Sequence, residues 1–498
     1  MSPRILTFLS IIAMTSLSAA AENHPLGLFA GQSSIGNPRL PGSAAFDAGS
    51  ETYTITGAGA NMWLGRDEFQ MAWKKMRGDF ILCARVSFPD KGVDPHRKMG
   101  WIIRTSLDEG SAYVDAAVHG DGLTCMQFRH RPGEDTGSID STITAPDVVQ
   151  LSRRGNTVTL SAARFGEPFT SMELPDIALG DEVYVGIFVC SHNPDVVETG
   201  VFSDVRISVP AREDFVPYTD YIGGNLEILE VATGARRIVC HSARSLQAPN
   251  WTPDGKALIY NEDGLVYRFD LETGKSSVLN TDFATQNNND HVLSFDGRML
   301  GISHHSKDHD GDSIVYVLPV EGGIPRQVTS MGPSFLHGWT PDGKELIYTG
   351  GRGGNWDIYK IPAVGGEEVR LTSAPGLSDG SEFAPDGKYI YFHSSRGGTM
   401  QIWRMRPDGS DQEQVTDDGF NNWFPHISPD GKRMVFLTYL PDVDPGEHPW
   451  YKQVYIRMMS IKGGAPKVLA YVYGGQGTIN VPSWSPDGTR VAFASYTD

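Results

Sequence analysis

The sequence predicts an all-β protein: a six-bladed β-propeller with a β-sandwich of the jelly-roll kind in front of it. Three observations carry that prediction. A turn motif recurs six times at Thr252-Pro253-Asp254-Gly255, Ser294-Phe295-Asp296-Gly297, Thr340-Pro341-Asp342-Gly343, Ala384-Pro385-Asp386-Gly387, Ser428-Pro429-Asp430-Gly431 and Ser485-Pro486-Asp487-Gly488, spaced 42, 46, 44, 44 and 57 residues apart. A period in the low forties marks stacked equivalent units. Period-two alternation of β-branched and aromatic residues runs through the whole chain, and helical periodicity is nearly absent.

Taken in order, residues 1–21 read as an export signal. Arg4 precedes an apolar run from Ile5 to Leu17, and Ala19-Ala20-Ala21 has the small residues of a cleavage site. No Cys follows the run, so the expectation is a protein released to a periplasm or secreted, not lipid-anchored. No other segment approaches the roughly 20 apolar residues that span a bilayer, so no membrane insertion is expected. Residues 22–215 contain many strands, such as Gly78-Asp79-Phe80-Ile81-Leu82-Cys83 and Lys98-Met99-Gly100-Trp101-Ile102-Ile103-Arg104, with turn signals between them. Together with Gly120-Asp121-Gly122 and Gln127-Phe128-Arg129 these resemble the concanavalin-like sandwich domains once catalogued as unknown-function domain 1349. That resemblance implies a carbohydrate surface, for which Trp63, Trp73 and Trp101 are available unless they fill the core.

Residues 216–498 hold the repeats. In each unit an apolar strand enters the turn motif, where Pro presets φ, Asp accepts nearby backbone N–H groups and Gly takes a positive φ. A second strand follows, as in Glu345-Leu346-Ile347-Tyr348, then a third such as Gln401-Ile402-Trp403-Arg404-Met405, and a fourth such as Glu368-Val369-Arg370-Leu371-Thr372. The last motif is followed by one strand, Val491-Ala492-Phe493-Ala494, whereas an orphan outer half stands at 223–239. Six inner and six outer halves, offset by one half, predict a ring closed by pairing 223–239 with the C-terminal blade, which removes exposed sheet edges. The repeat resembles that of the TolB-like propellers, which carry this Ser-Pro-Asp-Gly motif. The resemblance implies fold more than activity, because the motif is a turn device and one fold hosts many functions.

The net charge of −18, with no run rich in Lys or Arg, argues against nucleic acid and anionic membrane as partners. Cys83, Cys125, Cys190 and Cys240 match no zinc or redox spacing and read as buried thiols, in a compartment that would also permit disulfides. Asp308-His309-Asp310-Gly311-Asp312 lacks the Gly position and closing Glu of a calcium loop. Gly350-Gly351-Arg352-Gly353-Gly354 lacks the Lys and helix of a phosphate loop. Gly376-Leu377-Ser378-Asp379-Gly380 has the Gly-x-Ser-x-Gly spacing, but it leads into a blade turn with no helix pattern after it, so no nucleophile elbow is expected.

Candidate site residues come from equivalent positions just upstream of each turn motif, on the strand nearest the central channel. Three places before the Ser/Thr, where Pro is commonest, stand His291 and His337; in a later unit His426 stands one residue further on. These three are the candidate metal ligands, and a divalent ion (Ca, Mn or Zn) is the cofactor such a cluster would hold. Each histidine has the alternative task of satisfying backbone groups between blades. His337, His426 and Glu382 are the candidate catalytic groups if the protein is an enzyme. Asn289, Asp290, Asp379, Asn422 and Trp423 are the candidate ligand contacts. His304-His305 is expected nearer the outer end of the same blade gap. The insert Leu440 to Lys452 explains the 57-residue spacing; its acids and aromatics suit sugar stacking or a structural flap.

Two functions stay open at this level. One is an exported two-domain binding protein that engages a glycan or a protein segment at the channel mouth. The TolB-like resemblance implies protein partners, but the domain preceding the propeller does not look like that family's usual one. The other is a carbohydrate-active enzyme, a lyase or hydrolase. Some propeller polysaccharide lyases resemble this chain in architecture and use His with a metal, although an acidic protein is a poor host for a polyuronate.

Overall fold

The computed structural model describes residues 25–498; the signal expected over 1–21 lies outside the described residues. Two seven-stranded antiparallel sheets form the first region. One runs, in spatial order, through Gly31–Ile35, Phe69–Arg77, Glu182–Cys190, Lys98–Arg104, Tyr113–His119, Thr124–Arg129 and Gly137–Asp140. The other runs through Thr170–Leu174, Thr157–Ala163, Val148–Arg154, Phe80–Ser87, Asn193–Ser208, Thr52–Gly59 and Ser43–Asp47. They face each other as a sandwich. Trp101, Ile103, Val185 and Ile187 from one sheet interleave with Leu82, Leu151, Leu160 and Phe202 from the other. Burial of such side chains contributes about 1.5–3 kcal/mol each. Trp101 is a core residue with no exposed surface, Trp73 is half-buried against Ser33, and Trp63 alone of the three is exposed.

Six further sheets make the propeller. Blade one is Leu246–Trp251, Ala257–Glu262, Leu265–Asp270 and Lys275–Val278; blades two to five begin at Asn287, Ser334, Ser378 and Asn421, each with four strands. The sixth closes the ring: Gly224–Glu230 pairs along its whole length with Arg490–Tyr496, from Gly224 opposite Tyr496 to Glu230 opposite Arg490. Trp484 bridges Val491 at the innermost position. The repeated motif forms the same turn in each blade. In blade three Thr340 Oγ1 donates to Asp342 Oδ1 at 2.8 Å, that oxygen accepts the Lys344 N–H, and Gly343 has φ +70°. Ala384 has no hydroxyl, so Asp386 accepts the Lys388 N–H without that added donor.

The two regions are joined by a buried ionic cluster. Arg206, on the sandwich strand 193–208, and Arg236, in the closing blade, both donate to Glu227, and Ser495 adds a third donor at 2.6 Å. Glu51 of the sandwich pairs with Arg206 and accepts the Ile238 N–H. Tyr471 and Tyr455 of blade five bond the segment at 167–169. All four cysteines are free and lie in strands; burial pushes the Cys83 and Cys125 thiols up to about 12.

Candidate functional site

In every blade the innermost strand ends at the turn motif, so the motifs gather at one end of the channel and the starts of those strands at the other. The turns between second and third strands share the second end. There a cavity of about 830 Å³ opens, lined from all six blades and by the segment joining the two regions.

Its shape depends on a feature that hydrophobic pattern does not encode. Five innermost strands carry a register shift against their neighbour, between Gln247 and Asn250, Asn287 and His291, Leu336 and Gly338, Asp379 and Glu382, and Trp423 and His426. An extra residue in a strand reverses which side chains face which way beyond it. Ala248, Gly380 and Phe424 take φ of +52°, +60° and +51° at these points. In blade three the unpaired residue is His337, which is thereby turned into the mouth.

His337 Nε2 lies 2.9 Å from Asp379 Oδ1, and Asp379 also accepts from the Gly380 N–H and from Thr349 Oγ1. His393 Nε2 is 3.6 Å from the other Asp379 oxygen; its Nδ1 accepts the Phe424 N–H. Burial opposes charge on Asp379, but the facing His337 and these hydrogen bonds outweigh it and hold the carboxyl well below the usual range. Burial likewise opposes charge on His337, and the carboxylates of Asp379 and Asp290 outweigh it, raising the imidazole above 6.5. Asp290 is the exception. Burial dominates there, opposed by His337 and assisted by Asp379, and pushes the carboxyl up to about 6. One oxygen of Asp290 makes no hydrogen bond, although the residue is only 5% exposed. Two carboxylates thus share one imidazolium.

The proposed contacts divide accordingly. Asn289, Asp290, Asp379 and His337 line the mouth. Asn422 and Trp423 do not. The bulge substitutes Phe424 for them, Asn422 is consumed by Gln401, Thr438 and Arg457, and Trp423 packs between the His393 and His448 rings. His426 and Glu382 lie outside the cavity, bonded to each other at 2.6 Å, with the second His426 nitrogen on the Ile479 carbonyl and the second Glu382 oxygen on the Ile427 N–H. His291 bonds the Ile259 carbonyl of the preceding blade, and burial lowers it to about 4. Asn250 makes the same kind of clamp as Glu382, accepting the Leu293 N–H of the next blade. The trio His291, His337 and His426 therefore has three separate sets of partners, and among the described residues no three His, Cys, Asp or Glu side chains are arranged to hold a metal.

Other residues enter that the repeat pattern could not flag. His305 lines the mouth rather than the outer end of its blade gap. The insert places His448 and Trp450 in the wall; burial holds His448 down to about 4, so it is neutral. Tyr218 and Tyr221, from the joining segment, set their rings edge-on to Trp450 at 4.5 and 5.7 Å. Phe335, Trp356 and Phe424 supply aromatic surface opposite, and Gln247, Asn261 and Asn480 supply amides. No Lys or Arg is among the lining residues.

The fold and mouth define a six-bladed propeller with a ligand-sized cavity of mixed aromatic and polar lining at one end of its channel. The model for the TolB beta propeller domain matches residues 332–441. An uncharacterized protein of Agrobacterium fabrum is 45% identical over 273 residues, covering 55% of this chain and 92% of its own length. The solved structure of a putative TolB from Agrobacterium tumefaciens is 43% identical, with a TM-score of 0.54, covering 56% of this chain and all of that one. TolB from Acinetobacter baumannii is similar at 21% identity and a TM-score of 0.41, covering 51% of this chain and 64% of its own. The chain belongs to the TolB-like β-propeller family.

Proposed function

We propose that this is an exported, two-domain binding protein whose propeller engages a glycan at the channel mouth, with residues 22–215 a concanavalin-like sandwich and 216–498 the propeller. The observation that carries the reading is the composition of the mouth. Aromatic side chains from blades three and five and the joining segment share a cavity of about 830 Å³ with amide side chains from blades one, two and six, a mixture that can stack sugar rings and bond their hydroxyls. A protein segment, the other ligand class, would be expected to use a longer apolar groove. Among the described residues no helix is long and apolar enough to cross a membrane, which accords with release after export. Calorimetric titration of the mature protein with soluble oligosaccharides tests the reading: binding lost in Trp450→Ala, with folding intact, supports it, and binding unchanged in that variant refutes the location.

A specific observation favours a second reading, an enzyme acting on carbohydrate. A carboxyl held near neutrality beside an imidazole–carboxylate pair is suited to general acid–base work. That role falls to Asp290 and His337, since His426 and Glu382 lie outside the cavity. Turnover of an oligosaccharide, with and without added Ca, Mn or Zn, would promote this reading. Metal analysis of wild type beside the His291/His337/His426 triple Ala variant tests whether a divalent ion takes part.

A further inference from the structure

The charges around the mouth do not balance. Asp263 is neutralised by Arg244 from outside the cavity, at 3.2 Å, and Asp379 by His337 at 2.9 Å. Asp290 has neither a cation of its own nor a hydrogen bond to one of its oxygens, yet it is buried in the cavity wall. A polar group left so is costly unless a ligand completes it. The completing group must be a donor and carry positive charge. The same cavity wall carries Tyr218 and Trp450, whose rings pack edge-on at 4.5 Å. The Trp450 indole N–H is also buried without a partner. A cavity that combines an unpartnered carboxylate with aromatic rings suits an ammonium group, and the indole N–H is left to donate to a hydroxyl.

We infer that the mouth selects an amino-sugar oligomer with free amines, one ammonium resting on Asp290 while an adjoining ring contacts Trp450 and Tyr218. This rests on the glycan reading above and narrows it to a cationic class. An anionic uronate is disfavoured by the same groups, since no Lys or Arg lines the cavity to receive it. Asp290 changes charge near pH 6. The groups facing it are His337 and Asp379 from blades three and four, Asn480 from the sixth and Tyr218 from the joining segment; His448 and His305 lie further around the wall. Of these Asp379 stays ionised and His448 neutral above pH 5. Cation binding therefore strengthens as pH rises through about 6, where Asp290 loses its proton, and a bound cation pulls that proton off at lower pH.

The test is calorimetric titration of the full mature chain with matched hexasaccharides of glucosamine, N-acetylglucosamine and galacturonate at pH 6.5. The expected result is at least a ten-fold preference for the glucosamine oligomer over the acetylated one, no binding of the galacturonate, and loss of the preference in Asp290→Asn with affinity for the acetylated oligomer retained. The glucosamine oligomer, whose amines stay mostly protonated up to about pH 6, should bind several-fold more tightly at pH 6 than at pH 5. Equal affinity for the charged and acetylated oligomers, or a preference that survives Asp290→Asn, overturns the cationic assignment and leaves the glycan reading standing. Failure of every oligosaccharide to bind overturns both. A lysine-containing peptide that binds in their place identifies a protein ligand and overturns both as well.

Discussion

Replacing Glu227 with Gln should uncouple the sandwich from the closing blade at a cost that the structure allows to be sized. Glu227 has no exposed surface and accepts from two nitrogens of Arg206, two of Arg236, and Ser495. Burial by itself would raise its pKa, but the two guanidinium charges and their hydrogen bonds overcome that and hold it at about 2, against 4.5 for a free Glu. At about 1.4 kcal/mol per pKa unit, this corresponds to about 3 kcal/mol of folding free energy at neutral pH. Removing one partner of a buried pair costs about 3–5 kcal/mol, because the remaining charges stay buried. Glu51 still serves Arg206, so the lower end of that range is expected. The sign with pH follows from the depressed pKa. The contribution is complete above the unfolded value of about 4.5 and is lost as pH falls towards 2. Urea unfolding followed by tryptophan fluorescence at pH 7 and pH 3 is the assay. The variant should be less stable by about 3 kcal/mol at pH 7, and the gap should narrow at pH 3. A loss under 1 kcal/mol at pH 7, or a gap independent of pH, would refute the reasoning.

Three further outcomes are expected. In Asp379→Asn the His337 imidazole loses the nearer of its two carboxylates while its burial remains, so an NMR titration should show its pKa above 6.5 in wild type and clearly lower in the variant; equal values would separate the pair. The His337 charge stabilises the fold below pH 6.5, and that contribution disappears as pH rises through the raised folded value. Gly343→Ala meets nothing within 4 Å but must hold φ +70°, so it should cost about 1 kcal/mol through backbone strain alone, read from the thermal or urea midpoint. Thiol labelling of the native protein should modify Cys240 fastest, since Cys83, Cys125 and Cys190 are buried, and denaturation should release all four without reductant.

The propeller was legible because its turns must be written in residue types. Pro for φ, Asp for its acceptor oxygen and Gly for a positive φ recur wherever the chain reverses between the first two strands of a blade, so period, strand order and the half-blade offset follow by counting. The long fifth-blade insert showed as an irregular spacing for the same reason. His337 was a candidate because it stands three places before its turn motif, and Asn289, Asp290 and Asp379 because they are polar groups beside such positions.

The repeat could not say which way each side chain points once the strand bulges. Alternation assumes one residue per register step, and the five shifted strands break that assumption just where the mouth is built. That is why Phe424 faces the cavity in place of Trp423, and why His291 and His426 fasten blades while His337 faces the ligand space. Nor could sequence bring in Tyr218, Tyr221 and His393, which belong to no upstream repeat position and reach the site only through packing. Turn chemistry is local, so the sequence by itself determined the fold and the closure of the ring. The charge on a carboxyl depends on what is buried beside it. Only the tertiary structure, by setting Asp290 and Asp379 around a single imidazole, decided which of them is left to a ligand.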